Sequence, residues 1–355
     1  MWRKKNICGD GWLRYQDGLS PGKHYDMASN EKNRKKDDLI RPLAHLAGAK
    51  PPAPQWFERA ISAASQEGSV KVSGANIRYS AWGKPGGRGL LFVHGGRAHR
   101  NWWRPFAPFF AENRRVAALD LSGMGDSDWR DQYSLDCLVD ELFAVIDKAG
   151  LAEGGRPTIV GHSFGGWVTL AAVEREGDRL GGAVVIDSPL GVPDPDEGYS
   201  VVRANREKTT AKATTMRVYK TIEEPVARFR LLPNQPAEHL FLLDYIARQG
   251  LRRTPMEDGG EGWTWKFDPD KGKNFDIQFE RDLLRAARCP LAFIYGEKSM
   301  FAQGDSLNHL RDQARGRSPF IMMPEAHHHL MLDQPMAFIS ALRTLFSCWP
   351  VRVGG

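Results

Sequence analysis

The chain has 355 residues, 41% hydrophobic and 26% charged, enough to bury one substantial core. It contains no run of roughly 18 apolar residues and no apolar N-terminal segment, which argues against a membrane-spanning helix or a secretory leader. The net charge of +6 sits mainly in residues 1–52, which hold 11 Lys/Arg against 6 Asp/Glu; the balanced remainder gives no reason to expect a nucleic-acid partner.

Residues 1–52 are polar and weakly periodic, and are expected to form a basic, disordered extension that includes the run Glu31–Lys36. Met27 offers a second start for translation. The four cysteines, Cys8, Cys137, Cys289 and Cys348, lie far apart, with no C-x-x-C pair. Neither a disulfide framework nor a zinc site is expected, and a reducing cytoplasm suits this pattern.

Patterning begins near Gln55. Ser69–Trp82 reads as two strands joined at Ser73-Gly74. Short aliphatic runs then recur at Leu90–Val93, Arg115–Leu119, Thr158–Val160, Ala183–Ile186, Leu291–Tyr295 and Phe320–Met323. Such runs suit parallel strands buried on both faces. Leu135, Leu138, Leu142, Val145 and Ile146 form one helical stripe, and Phe338, Leu342, Leu345 and Phe346 another. The alternation predicts a doubly wound, mostly parallel α/β sheet spanning 53–189 and 288–355. About 100 residues separate Ile186 from Leu291, too many for a loop. Residues 190–287, with helical segments at Pro225–Leu232 and His239–Gln249, are therefore expected to form a helical cap inserted after the sixth strand.

The chemistry concentrates in three places. Gly161-His-Ser163-Phe164-Gly165 follows an apolar strand and precedes a helix-compatible run. A turn this tight strains its central residue, demands glycines around it, and projects the Ser163 hydroxyl above the sheet. A serine needs a base, which should follow the last strand, where His327, His328 and His329 stand in a row. The His run lacks an accompanying H-E-x-x-H cluster, so a metal site is not expected. Thirdly, Leu90–Val93 runs into His94-Gly95-Gly96-Arg97, and the backbone N–H groups of Gly96 and Phe164 are candidate oxyanion donors. Gly123-x-Gly125 is not a dinucleotide loop, because position 128, where the third glycine would fall, is Asp; Asp126 and Ser127 should instead pin that loop.

These motifs resemble the α/β-hydrolase superfamily, in its capped, epoxide-hydrolase/dehalogenase-like branch. The resemblance covers Trp56 to Phe346 and rests on His94–Gly96, Ala118–Trp129, Gly161–Gly166 and His328–Pro335. It implies His328 as general base, since the family's histidine stands seven residues before the proline. Dehalogenases and epoxide hydrolases of this branch carry Asp as nucleophile, so Ser163 implies an acyl-enzyme instead. The family's usual acid, in a pattern like G-E-K-D, is Ser299 here (Gly296-Glu-Lys-Ser299). Asp187, which ends the sixth strand at a position other members use, is the leading candidate acid, with Glu297 and Asp305 as alternatives and an acid-free dyad also open.

The expected function is cleavage of a carboxylic ester of a small molecule, without a cofactor. C–C bond hydrolysis, lactonase or thioesterase action, or non-catalytic ligand binding, stand as alternatives. Trp102, Trp103, Trp263 and Trp265 are expected at the floor and rim of the pocket, and Arg97 beside the oxyanion loop could meet an anionic or carbonyl-rich substrate. Nothing in the sequence sets the oligomeric state.

Overall fold

The computed structural model describes residues 40–190, 216–271, 275–276, 287–303, 305–314 and 318–348. Its strands are β1 (Gln66–Val72), β2 (Ala75–Trp82), β3 (Arg88–Val93), β4 (Arg114–Leu119), β5 (Tyr133–Ser134), β6 (Thr158–His162), β7 (Gly182–Ile186), β8 (Leu251–Pro255), β9 (Glu261–Trp265), β10 (Phe275–Asp276), β11 (Leu291–Gly296) and β12 (Phe320–Met323). The helices are α1 (Gln55–Ser62), α2 (Leu135–Lys148), α3 (Phe164–Glu176), α4 (Glu223–Ala227), α5 (Leu240–Gln249), α6 (Asp305–Gln313), α7 (Leu330–Asp333) and α8 (Pro335–Cys348).

Eight strands form one sheet in the order β1-β2-β4-β3-β6-β7-β11-β12. The first two pairings, β1 with β2 and β2 with β4, are antiparallel, and every later one is parallel. Ser73 and Gly74 turn β1 into β2 with φ of 44° and 89°, the double left-handed turn whose twist matches a hairpin. Strand β3 shows why its run is uniformly apolar. Leu91 and Val93 join the core on one face with α2, α3 and α6, while Leu90 and Phe92 join the core on the other with α1 and α8. Every side chain of the run Leu90–Val93 leaves water, contributing about 1.5–3 kcal/mol for each large one. Helix α2 buries Leu135, Leu138, Leu142, Val145 and Ile146, and Ser134 caps it by accepting from the Cys137 N–H at 3.2 Å.

Two expectations about boundaries change. Residues 40–52 were assigned to the extension, but Leu43 is buried in the core and the Gly48 carbonyl accepts from Arg248 on α5. One apolar side chain with a cavity to fill outweighs the polar composition around it. Residues 1–39, with the basic run and Cys8, lie outside the described residues. The insertion does follow the sixth strand of the large sheet, β7, yet it is not wholly helical. Its Gly- and Trp-rich stretch is the antiparallel hairpin β8–β9, paired from Leu251–Trp265 to Pro255–Glu261. Helix α4 spans Glu223–Ala227 and stops short of the expected Leu232.

The hairpin's exit ties the cap to the core. Met124 and Phe267 form a bridge, Asp268 N–H donates to the Gly123 carbonyl at 2.8 Å, and Lys266 pairs with Asp126 at 2.7 Å. Asp126 and Ser127 do pin the loop after β4: Ser127 Oγ donates to the Asp120 carbonyl at 2.6 Å, and Arg100 bridges Asp120 and Asp126.

Candidate active site

Strand β6 ends at His162 and α3 begins at Phe164, so Ser163 alone reverses the chain, at φ 54° and ψ −120°. Holding a non-glycine residue there costs roughly 1–3 kcal/mol and persists only where neighbours fix it. They do: Ser163 N–H donates to the Ile186 carbonyl at 2.9 Å, and Ser188 Oγ donates to the Ser163 carbonyl at 2.8 Å. A Cβ on Gly161 would lie 2.3 Å from the Gly165 carbonyl oxygen, and one on Gly165 would lie 2.5 Å from that of His94. The turn therefore closes only with glycine at both positions.

The Ser163 hydroxyl donates to His328 Nε2 at 3.0 Å, and His328 Nδ1–H donates to Asp187 Oδ1 at 2.8 Å. The Asp187 and His328 side chains are almost wholly buried. Asp187 further accepts from Gly296 N–H at 2.8 Å and from Ser299 Oγ at 2.5 Å. Ser299, which stands where the resemblance led us to look for an acid, thus serves as a hydrogen-bond donor to Asp187. Glu297 is exposed and accepts from Glu325 N–H at 3.0 Å, while the Asp305 side chain lies outside the described residues. Of the other two histidines, His327 turns to Asp333 and His329 donates through Nε2 to the Leu232 carbonyl.

Burial pushes His328 well below the ordinary imidazole range, so the ring is neutral at neutral pH and its Nε2 lone pair can take a proton. Burial raises the Asp187 carboxyl above the ordinary carboxylate range, and the Ser299 and Gly296 donors offset only part of that rise.

The loop Gly95–Gly96 lies over the elbow. A Cβ on Gly95 would sit 3.3 Å from Ser163 Cβ, and one on Gly96 would sit 3.8 Å from Phe164 Cβ. The two candidate oxyanion donors are thereby neighbours beside the serine, with Phe164 at the positive end of α3. His94 holds this loop to the next, since its Nδ1–H donates to the Gly95 carbonyl and its Nε2 accepts from Leu121 N–H.

A cleft of about 420 Å³ opens onto Ser163, lined by Gly96, Arg97 and Trp102 on one side and by Phe229–Leu232 of the cap on the other. An adjoining cavity of about 280 Å³ is lined by Arg97, His99, Trp102, Trp265 and Lys266. Arg97 and Trp102 therefore line both the cleft and the adjoining cavity, and Trp265 the adjoining cavity. Trp103 lines neither: it is 1% exposed and stacks on Phe92 at 4.8 Å within the core. Trp263 packs in the β8–β9 hairpin, where Arg253 lies over its ring. His162, Phe229, Arg230 and His329 also line the cleft. The sequence marked none of them as pocket residues, because no local pattern marks a side chain that faces a cavity from a distant segment.

Ring nitrogens of His162, His328 and His329 come within 4.8 Å of one another, among the described residues the one such group that could hold a metal ion. Both nitrogens of His328 are engaged by Ser163 and Asp187, and His162 Nε2 donates to the His328 carbonyl at 3.1 Å. An ion held by all three rings would have to displace the serine or the aspartate from His328. The donor set therefore fits a proton relay better than a resident metal.

Residues 90–342 match the family model described as "Alpha/beta hydrolase family". The chain is 30% identical over 299 residues to "Epoxide hydrolase 3" of Xenopus tropicalis, covering 79% of this chain and 78% of that protein. It is 33% identical over 144 residues to "2-hydroxymuconate semialdehyde hydrolase" of Pseudomonas sp. (strain CF600), covering 39% of this chain and 50% of that one. Among solved structures, the "Thioesterase Domain From Curacin Biosynthetic Pathway" superposes with a TM-score of 0.65 at 20% identity, over 79% of this chain and all of that one. With a strained serine turn at the end of a central parallel strand, a histidine after the last strand and a family match across most of its length, the chain belongs to the alpha/beta hydrolase family.

Proposed function

We propose that the protein is a serine hydrolase that cleaves a carboxylic ester, or a related acyl bond, of a small molecule. The observation that carries this reading is the unbroken chain of hydrogen bonds Ser163–His328–Asp187, at 3.0 and 2.8 Å, opening onto the cleft. Ser163 Oγ attacks the ester carbonyl while His328 Nε2 takes its proton. The N–H groups of Gly96 and Phe164 receive the oxyanion, each such donor being worth about 3–4 kcal/mol. His328 returns the proton to the departing alkoxide, which leaves as alcohol. Water, deprotonated by His328, then attacks the acyl-serine, and the acid is released with the serine reprotonated. Asp187 holds the Nδ1–H tautomer of His328 throughout.

Epoxide opening by the same residues is disfavoured on chemical grounds. A serine that opened an epoxide would form an ether, which an activated water cannot cleave as it cleaves an ester. Lactonase, thioesterase and C–C hydrolase action share the acyl-serine and differ only in the leaving group. A cytoplasmic location remains our expectation, and among the described residues no helix is long and apolar enough to cross a membrane.

The test is turnover of p-nitrophenyl acetate and butyrate together with fluorophosphonate labelling, in wild type and Ser163→Ala. Wild type should turn over both esters and take label, and Ser163→Ala should do neither. A wild-type protein that takes no label and cleaves no ester would move a ligand-binding role to first place.

A further inference from the structure

The cleft over Ser163 carries two guanidinium groups that no carboxylate pairs among the described residues. Arg97 follows Gly96 directly, so its Cα stands about 3.8 Å along the chain from that of the proposed oxyanion donor. Arg230 approaches from the cap, just beyond α4, and lines the same cleft. Among the described residues neither guanidinium forms a hydrogen bond or an ion pair. Other cations of this region are matched: Arg100 by Asp120 and Asp126, Lys266 by Asp126, and Arg248 by Asp244. Among the described residues no Asp or Glu lines either cavity, and burial holds His99, His162 and His329 neutral, so the formal charge these residues turn to the cleft is positive.

Arg97 is also held in place at a cost. Its φ is 58°, a left-handed backbone that glycine adopts freely and an arginine adopts at a penalty of about 1 kcal/mol. Its N–H donates to Met124 Sδ at 3.1 Å, and its guanidinium lies 5.4 Å from the centroid of the Phe267 ring. Partial burial, and after it the like charge of Arg230, disfavour its charged form. An anion between the two groups would convert that repulsion into paired charge-assisted hydrogen bonds.

We propose that the preferred substrate carries a carboxylate in its acyl part, seated between Arg97 and Arg230 while the ester carbonyl lies at Gly96 and Phe164. This proposal rests on the serine-hydrolase reading above. It is tested with mono-p-nitrophenyl adipate against p-nitrophenyl hexanoate, two esters of equal chain length that differ in the terminal carboxylate. The readout is the ratio of the two kcat/KM values within each protein. Wild type should favour the adipate on the order of tenfold at low salt, and less at high salt. Arg97→Gln and Arg230→Gln should each bring the ratio near one, and Arg97→Lys should recover part of it. A wild-type ratio of one or below, or a preference that both Gln variants retain, overturns the proposal while leaving ester hydrolysis standing. If neither ester is cleaved and no fluorophosphonate label is taken, the hydrolase reading fails separately. The carboxylate site is then read by thermal shift with monoethyl adipate at fixed ionic strength. Stabilisation that Arg97→Gln and Arg230→Gln both lose supports the site, and its absence in wild type overturns it.

Discussion

The floor of the cleft and its cap-side wall are built by opposite rules. On the floor, Ser163, Asp187 and His328 leave the ends of β6 and β7 and the segment after β12, and each is fixed by several hydrogen bonds to its neighbours. On the wall, Phe229, Arg230 and Leu232 come from irregular chain, and Arg230 and Leu232 are solvent-exposed. The sheet fixes the floor through backbone pairing, so its geometry survives most changes of side chain. The wall depends on which side chains happen to face inward, and is where substrate choice can change without loss of the fold. The difference teaches where to look for chemistry and where to look for selectivity.

This contrast can be broken most severely at the floor. Ser163→Ala should lower kcat by roughly 10⁴- to 10⁶-fold while leaving the thermal unfolding midpoint close to wild type, since alanine keeps the Cβ and with it the elbow strain. Asp187→Asn should lower kcat by about 10⁴-fold, because the amide presents the wrong partner to the His328 Nδ1–H. Ser299→Ala removes one of the donors to Asp187 and should cost about tenfold in kcat/KM, without a change in fold by circular dichroism.

Away from the floor, Asp120→Ala should destabilise the protein by about 3–5 kcal/mol in urea titration, since it removes the buried partner of Arg100 and leaves the Arg100 and Asp126 backbone N–H groups without their acceptor. Stability should also fall in acid. His94 and His99 are fully buried, and burial lowers both to about 4 from an ordinary 6.5. The unfolded chain binds protons that the folded one refuses, so their contribution is complete above pH 6.5 and lost progressively as pH falls toward 4. Denaturant midpoints at pH 7.5, 6 and 5 check this. A midpoint unchanged across that range would contradict it. The catalytic profile follows the same direction: His328 acts when neutral, so kcat/KM should stay level above pH 6.5 and decline only below it. The smallest effect belongs to the adjoining cavity, where Trp265→Ala should change KM by a few-fold and leave kcat within a few-fold of wild type.

Particular residues show what could be read in advance. The strands at 90–93, 158–160 and 183–186 are legible because burial on both faces leaves Thr158 as their one polar position. The serine turn is legible because an apolar strand and a helix bracket five residues that only glycine-rich sequence can close. Trp103 was expected in the pocket, but its stack on Phe92 comes from the packing of a loop onto the sheet, which no local pattern encodes. The β8–β9 hairpin hid for a related reason. Its Gly- and Trp-rich sequence lacks strict alternation, and its pairing is supported by bridges to Tyr219 and, beyond the hairpin, from Phe267 to Met124.

By itself the sequence determined the alternating α/β order, the insertion after the sixth strand, and the serine turn, because periodicity and steric closure act between near neighbours. Only the tertiary structure decided that Ser299 donates to Asp187, that Ser163 and His328 lie within hydrogen-bond reach, and that Arg97 and Arg230 share one cleft. Those contacts join residues up to 165 positions apart, and their geometry is set by how helices and loops settle on the sheet rather than by any pattern along the chain.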